Sequence, residues 1–222
     1  MLFRSSLETE KNSFLLEMKK EQQTKAISRI LEKNHIRNAV ICSKEMCFAL
    51  MGISINDTLL DIIVNDMIQK TVEINNCACS AIISNPLSDY LKLADTYQKL
   101  KEGFHIRMIR KQQWQYIFLD ELQYDRIMLH ISEDTEVHQF IRCKLGPLVE
   151  YDRAHDTQLL ETLEALIQNH NSRKLAAESL FLHRNTMVHR INKIEEVLHC
   201  SLDDTEIMEQ LEFAIKMKMY AH

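Results

Sequence analysis

The 222-residue chain contains only three glycines and two prolines. These residues supply the tight turns of all-β folds, so their scarcity favours long helices over a turn-rich β-sandwich. The chain also lacks an apolar run long enough to cross a membrane, and its first residues do not resemble a secretory signal. We therefore expect a cytoplasmic protein without a membrane partner.

The motifs of several large enzyme classes are missing as well. There is no phosphate-binding P-loop, no dinucleotide-binding glycine pattern, no nucleophile elbow and no zinc-protease histidine pair. Scattered acidic residues and histidines do not by themselves define a catalytic set. The sequence therefore predicts no enzyme, no catalytic residue and no cofactor, and it identifies no cofactor-binding residue.

Six cysteines are scattered through the chain without a secretion signal, which predicts reduced thiols rather than a disulfide framework. Cys77 and Cys79 form a C-x-C pair, not the C-x-x-C pair that is typical of zinc or redox sites. Strand residues two apart face the same way, so we expect both thiols on one side of a sheet. His183 and His189 are six residues apart and do not share a helix face. No metal site is predicted.

The length of the chain favours two small cores over one large core. Its first part alternates helical and extended patterns. The predicted helices cover residues 13–34, 59–74, 85–102 and 116–131, and the predicted strands cover 39–42, 47–51, 77–84 and 106–109. The second of these helices is capped near Asn56 or Asp57, and the third begins at Asn85-Pro86 and ends before Gly103. This order predicts an α/β sandwich with helices packed on a sheet.

The second part reads as helical throughout. A helix from 135 leads to Gly146-Pro147, the clearest punctuation in the chain, and we place a boundary near there. Leucines and an isoleucine from Leu159 to Ile167 then form the apolar stripe of a supporting helix. Asp203 and Glu206 have the spacing of a capping box that opens the last helix. The apolar face of that helix, residues 207–215, is either core or a dimer seam.

The stretch from 171 to 191 reads as two short helices joined by a tight connection. The first helix is expected to bury Leu175, Ala176 and Leu180, and the small pair Ala176-Ala177 lets a neighbouring helix approach closely. The second helix has a buried stripe at helical spacing and a polar face opposite to it. The stripe consists of Met187, Ile191, Ile194 and Leu198, and the polar face of Asn185, Thr186, His189, Asn192 and Lys193.

This arrangement predicts a helix-turn-helix, which inserts the start of its second helix into the major groove of DNA. From Leu182 to Ile194 there are three basic residues and no acidic residue. The candidate DNA contacts on the second helix are Arg184, Asn185, Thr186, His189, Arg190 and Lys193; at the start of the first helix they are Ser172, Arg173 and Lys174, as phosphate contacts. Three alternatives stay open: capping and solvation for 184–186, a solvated surface for His189, and an internal carboxylate as the partner of Arg190.

Net charge limits how such a domain could bind. From Gly146 onward eight lysines and arginines stand against thirteen aspartates and glutamates, so the whole excess of −5 lies in this part. A protein of this charge holds arbitrary DNA only weakly, because non-specific binding depends on phosphate neutralisation. A dimer on a specific site remains compatible with the charge.

The segment 180–186 (LFLHRNT), followed by 189–191 (HRI) and 194–196 (IEE), resembles the C-terminal DNA-binding domain of PucR/CdaR-type bacterial regulators. The flanking segments 145–152 and 202–204 are also similar to that family. The resemblance implies a sequence-specific transcriptional regulator that binds double-stranded DNA as a homodimer or larger assembly and controls a metabolic operon. It leaves open a small-molecule effector of unknown identity. Val188, His189 and Asn192 stand where family members tend to carry more basic or aromatic residues, so the operator cannot be read from the resemblance.

In the same family the upstream α/β region corresponds to a degenerate relative of the GGDEF cyclase domain. The cyclase signature is missing here, and no glycine turn or metal-binding carboxylate set replaces it, so we expect no cyclic dinucleotide synthesis. The family also has members with a further sensory domain, so we expect either a short member or a fragment. The alternative reading is a signalling adaptor whose acidic helical domain binds protein.

The expected fold class is therefore α+β, with a small degenerate GGDEF-like α/β sandwich followed by an all-α helix-turn-helix domain. The expected domains are a helical segment at 1–34, the α/β domain at 35–134, a linker helix at 135–150 and the DNA-binding domain at 151–222.

Overall fold

A computed structural model describes residues 1–5, 13–43, 46–52 and 57–221 of the chain. The chain divides into two compact units, Met1–Arg126 and Ile127–His222. Within the described ranges no helix is sufficiently long and apolar to cross a lipid bilayer. Asn56, which the sequence suggested as a helix cap, lies outside the described residues.

The described residues of the first unit form an α/β arrangement in which five strands make one sheet. Its strands are β1 (Leu2–Ser5), β2 (Arg37–Cys42), β3 (Met46–Gly52), β4 (Cys79–Ile83) and β5 (Tyr116–Phe118). Its helices are α1 (Ser13–Lys33), α2 (Asp57–Asn75), α3 (Leu93–Arg110) and the first part of α4 (Gln123–Ser132), with 3-10 turns at Tyr90–Lys92 and Leu119–Leu122.

The strand order in the sheet is β2-β3-β1-β4-β5. Strand β1 pairs antiparallel with both β3 and β4, and only β4 and β5 are parallel. The prediction of a helical segment from residue 1 to 34 is therefore wrong at its start, because the first residues form the central strand. Four residues are too few to show the alternation that identifies a strand in sequence, and only pairing on both sides stabilises this one.

Helices α1 and α2 cover one face of the sheet. Their apolar residues recur at helical spacing and form a core with alternate residues of β3 and β4. This core includes Ile27, Leu31, Ala49, Ile63, Val64, Met67, Ala81 and Ile83. Burial of each large aliphatic side chain stabilises the unit by about 1.5–3 kcal/mol. The predicted helices and strands in this part of the chain are confirmed.

Helix α3 lies on the opposite face and differs from its prediction at both ends. It begins at Leu93 rather than at Asn85-Pro86, and it continues through Gly103 to Arg110. The strand predicted at 106–109 is thus wrong, because these residues continue helix α3. In that helix Thr96, Leu100, Gly103 and Phe104 are buried at spacings of three and four residues.

Gly103 marks a close approach between α3 and the sheet rather than a helix end. A Cβ atom at this position would lie 2.5 Å from Ile82 Cδ1 and 2.9 Å from Leu122 Cδ1. Both of those side chains are almost fully buried. Only glycine leaves the space that this contact requires.

The region from 116 to 131 also differs from the single helix that was predicted. Its first three residues form β5, which pairs with β4 in parallel register, and the Ala81 N–H donates to the carbonyl of Gln115 at 3.0 Å. Cys77 precedes β4, and only Cys79 lies within the strand. The predicted strand at 77–84 thus contains only one of the two thiols that the sequence placed in it.

In the described part of the second unit, α4 is followed by five helices. They are α5 (Thr135–His155), α6 (Leu159–Gln168), α7 (Arg173–Ser179), α8 (Arg184–Leu198) and α9 (Thr205–Tyr220). One core joins all five of these helices and includes Leu145, Leu148, Leu163, Leu166, Ala176, Met187, Ile191, Ile194, Leu211 and Ala214.

Helix α5 passes through Gly146-Pro147, where the sequence predicted a domain boundary. Proline in a helix interior removes one hydrogen bond, here the bond to the Cys143 carbonyl, and costs about 3 kcal/mol. Cys143 is exposed, and Leu145 and Leu148 are buried on either side of the proline. Burial of these two leucines offsets the lost bond. The helix predicted as a linker thus contributes to the core of this unit.

The last helix shows two further differences from the sequence reading. Its N-cap is Asp204, whose carboxylate accepts from the N–H groups of Glu206 at 2.9 Å and Ile207 at 3.3 Å, whereas Asp203 was expected to cap it. Met208, Leu211 and Ile215 are buried within the unit itself. The surplus apolar face of α9 is therefore core and not a free dimer seam.

The two helical glycines predict opposite effects of alanine. We expect Gly103→Ala to destabilise the first unit by about 1 kcal/mol or more, because the added methyl overpacks against Ile82 and Leu122. Gly146→Ala should stabilise α5 by about 0.5–1 kcal/mol, because the added Cβ would meet no atom within 4 Å and alanine favours the helix.

The ring of Trp114, the only tryptophan in the sequence, lies 6.2 Å from the ring of Phe104, so its fluorescence reports on the first unit. The stability of the Gly103→Ala variant is measured by urea unfolding followed by this fluorescence. The stability of the Gly146→Ala variant is measured by unfolding followed by circular dichroism. Equal effects of both substitutions would contradict the packing that we assign to Gly103.

Candidate nucleic-acid interface

Helices α7 and α8 form a helix-turn-helix, and the buried face of α7 consists of small residues. Ala176 and Ala177 are buried, as the sequence predicted, and allow the close approach of neighbouring helices. Leu175, which was expected to be buried with them, is 48% exposed. The Ser172 hydroxyl caps α7 by accepting from the N–H of Leu175 at 3.4 Å. Ser172 thus has a structural role at the position where a phosphate contact was predicted.

The buried stripe of α8 agrees with its prediction. Met187, Ile191 and Ile194 are almost fully buried, and Leu198 packs against the same core at its edge. Because successive residues on a helix turn by roughly 100°, the opposite face is directed outward. Arg184, Asn185, Thr186, His189 and Asn192 are exposed on that face.

The start of α8 combines exposure with a defined geometry. The His183 ring caps the helix, since its Nδ1 accepts from the Asn185 N–H at 3.3 Å. In the described part of the chain, the side chains of Arg184, Asn185 and Thr186 have no hydrogen-bond or ion-pair partner. Three polar side chains of different chemistry therefore stand together, directed outward, at the positive end of a helix dipole.

Arg190 is directed inward, toward α6. Its Nη1 donates to the Thr162 hydroxyl at 3.1 Å, and its Nη2 donates to the Gln158 amide oxygen at 3.2 Å. The guanidinium also acts electrostatically on Asp152. The sequence left open whether Arg190 contacts a phosphate or an internal group. In the structure its guanidinium binds internal partners, and these bonds join α8 to the start of α6.

Asp152 organises the other side of that junction. Its Oδ1 accepts from the Thr157 hydroxyl at 2.6 Å and the Leu159 N–H at 2.7 Å, and its Oδ2 accepts from the Leu160 N–H at 2.9 Å. Partial burial alone would raise the pKa of this carboxyl. The three hydrogen bonds and the charge of Arg190 outweigh burial and hold the pKa below its usual value.

Two other predicted cations also have partners within the protein. Lys193 pairs with Glu196 at 2.9 Å and stands 5.2 Å from the centre of the Tyr151 ring. The hydrogen bond to Glu196 raises the pKa of Lys193. Arg173 pairs with Asp203 at 2.8 Å. Of the predicted cations, Lys174 and Arg184 remain exposed and without a partner among the described residues.

The sequence reading missed the positioning residues Asp152, Gln158 and Thr162. Asp152 lies seven residues before the amide of Leu159 that it caps, so no local capping motif identifies it. Thr162 and Gln158 are 28 and 32 residues away from Arg190 along the chain. Only the packing of α6 against α8 brings these groups together.

Residues 159–217 match the family model of the PucR C-terminal helix-turn-helix domain, which spans α6 to α8 and most of α9. The purine catabolism regulatory protein of Bacillus subtilis (strain 168) is 32% identical over 91 residues, which cover 41% of this chain and 17% of that protein. The proline-responsive transcriptional activator PutR of the same organism is 31% identical over 133 residues, which cover 58% of this chain and 32% of that protein.

A third relative is an uncharacterized protein in the pkwA 5′ region of Thermomonospora curvata, which is 35% identical over 85 residues; these cover 38% of this chain and 47% of that protein. The matched segments thus span less than half of each of these three relatives. The C-terminal helices of the chain form a helix-turn-helix domain of the PucR type, as their motifs predicted.

The Asp152 junction predicts a local dependence on pH. Since the folded state lowers the pKa of Asp152, its stabilisation is present above the ordinary carboxyl pKa of about 3.9 and is lost as pH falls through the lower folded value. Asp152→Ala should remove it at neutral pH and destabilise the start of α6 by about 1–2 kcal/mol. Hydrogen exchange at the Leu159 and Leu160 amides measures this directly. Glu150→Ala, an exposed carboxylate on the same helix, serves as the control, and equal exchange in the two variants would contradict the role of Asp152.

Proposed function

From this PucR-type domain we propose that the protein is a sequence-specific, DNA-binding transcriptional regulator that inserts the start of α8 into the major groove. The observation that carries the proposal is the outward-facing group of Arg184, Asn185 and Thr186, which have no partner among the described residues. A buried stripe on the other side of the same helix holds them in place. This is the arrangement that a recognition helix requires.

The chemistry of these three residues suits base edges. An asparagine amide can form two hydrogen bonds with adenine, and an arginine guanidinium can form two with guanine. Threonine can accept, donate or contact a thymine methyl group. His189, one turn further along and exposed, supplies a further polar contact at the groove edge. Lys174, near the start of α7, is the proposed phosphate contact.

The remaining predicted residues receive a different role in this proposal. Arg190 fixes the orientation of α8 through Thr162 and Gln158, so it is a positioning residue. Arg173 and Lys193 are paired with Asp203 and Glu196 and contribute less net charge to the surface than their number suggests. We therefore propose that recognition depends on the shape and hydrogen bonding of a few residues more than on charge.

We further propose that the α/β unit is a degenerate, non-catalytic GGDEF-like domain that serves in assembly or in sensing an effector. The alternation of strands and helices around one mainly antiparallel sheet supports this proposal. Two relatives are named for purine catabolism and for a response to proline, which supports control of a metabolic operon in a bacterial cytoplasm. A helix-turn-helix reads a few base pairs, so we propose a homodimer on two half-sites.

Selection from a random DNA pool, followed by binding isotherms, tests the proposed function. Asn185→Ala should weaken binding to the selected site by about 1–3 kcal/mol and leave binding to random DNA nearly unchanged, because only base contacts distinguish the two. Asn192→Ala is the matched control: it lies on the same face about 10 Å further along the helix and should have a smaller effect. A pool without enrichment, or equal affinity of wild type and Asn185→Ala for the site, would refute the proposal.

Salt dependence distinguishes Arg184, a cation of α8 without a partner among the described residues, from Lys193, a paired cation of the same helix. Arg184→Ala should reduce the slope of log affinity against log salt by about one unit, because its uncompensated positive charge displaces a counterion from the DNA when the start of α8 enters the groove. Lys193→Ala should reduce it by less, since its charge is already compensated by Glu196. The measurement is a titration of the selected site at several salt concentrations. A larger effect of Lys193→Ala would show that the pair with Glu196 opens on DNA and would contradict this assignment.

A further inference from the structure

Phe181 occupies the turn between α7 and α8 in an unusual way. The turn closes α7 with two bonds, since the Leu182 N–H donates to the Ala177 carbonyl at 2.8 Å and the Phe181 N–H donates to the Glu178 carbonyl at 3.1 Å. This pattern is a Schellman motif, whose central residue adopts the left-handed conformation. Phe181 is that residue and has a φ of 55°.

A phenylalanine is poorly suited to this position. Glycine and asparagine are usual there, because a Cβ atom in the left-handed region clashes with the neighbouring carbonyl at a cost of roughly 1–2 kcal/mol. Among the described residues, the other non-glycine positions with positive φ are all polar or charged: His35, Asn76, Lys111, Asp156, His170, Asn171 and His199. Phe181 is the one apolar side chain in this set.

Burial does not compensate for this strain. The side chain of Phe181 is 97% exposed, more than any other large hydrophobic side chain in the described ranges. It gains almost no apolar contact within the unit. Strained residues that the fold does not need for its own stability tend to stand at functional sites.

The surroundings of Phe181 indicate which ligand it would meet. It lies two residues before the cap His183 and three before Arg184, at the entrance of the proposed recognition helix. From Ser179 to Ile194 the chain has no acidic residue. His183, Arg184 and Asn185, which follow it on the surface, are exposed and polar, whereas a protein-binding site would surround an aromatic anchor with further apolar residues.

We propose that Phe181 is a specificity-determining residue whose ring contacts the methyl group of a thymine at the edge of the DNA half-site. This inference rests on the proposed function and adds a residue that reads sequence without a hydrogen bond. Thymine is the base that offers an apolar group in the major groove, and aromatic side chains make such contacts. The left-handed backbone directs the ring away from the core and toward the DNA.

Phe181→Gly separates stability from binding. It should raise the melting temperature of the second unit, because glycine adopts a φ of 55° without strain. On the selected site its affinity should nevertheless fall about tenfold, which corresponds to the loss of an apolar contact of about 1.4 kcal/mol. Because asparagine also tolerates the left-handed region, Phe181→Asn should likewise raise the melting temperature and lower the affinity for the selected site. Phe213→Ala, an exposed aromatic residue of α9, is the control and should leave DNA binding unchanged.

Replacement of thymine by uracil in the selected site tests the chemical nature of the contact, because uracil lacks only the methyl group. Wild type should lose affinity for the uracil site, and Phe181→Gly should lose less. Equal losses in the two proteins, or an unchanged affinity of Phe181→Gly for the thymine site, would overturn the inference while leaving the proposed function intact. If wild type selects no DNA sequence, the proposed function and this inference fail together; a loss confined to Phe181→Gly concerns the inference alone.

Discussion

The junction between Asp152, α6 and Arg190 is the constraint on which the orientation of α8, the proposed recognition helix, depends. Asp152 caps α6 from the preceding helix, and Arg190 reaches from α8 to Gln158 and Thr162 at the start of the same helix. Hydrogen bonds to charged groups are stronger than those between neutral groups, and each is short-ranged and directional. They set the rotation of α8 about its axis. The buried stripe alone would tolerate small rotations, because apolar contact has no direction.

The pairing of cations with carboxylates near α8 is compatible with a DNA-binding surface, as we propose it, on a domain with a net negative charge. The cations on and around α8 are mostly committed to internal partners, as the pairs Arg173–Asp203 and Lys193–Glu196 show. Exposed ion pairs of this kind add little stability, about 0–1 kcal/mol. Their consequence is electrostatic: they reduce attraction to arbitrary phosphate and leave Arg184 and Lys174 as the predicted cations without a partner among the described residues. A surface of this kind favours discrimination between sites over strong binding to any DNA.

Strain and packing are distributed differently in the two units. In the first unit Gly103 removes a side chain so that α3 can approach Ile82 closely, and the gain is burial. In the second unit Phe181 keeps a large side chain where a glycine would be more stable, and nothing within the unit is gained. The first choice serves the fold. The second agrees with the contact that we propose between the ring and DNA.

The sequence by itself determined the features that rest on local periodicity and short-range capping. The stripe of α8, the small pair in α7, the helices α1 and α2 and the strands β2, β3 and β4 follow from spacings that the chain carries within a few residues. The exposed group at 184–186 follows from the same spacing, because a buried stripe defines the opposite face. This is why the helix-turn-helix was predictable from one sequence.

Only the tertiary structure decided the features that depend on distant partners. The short strands β1 and β5 form because neighbouring strands complete their hydrogen bonds, and α5 continues through Pro147 because buried leucines offset the lost bond. Arg190 turns inward because Thr162, 28 residues away, lies within reach once α6 packs on α8. Propensities act over one or two turns, whereas these choices are made by burial and pairing across the fold, which no local pattern records.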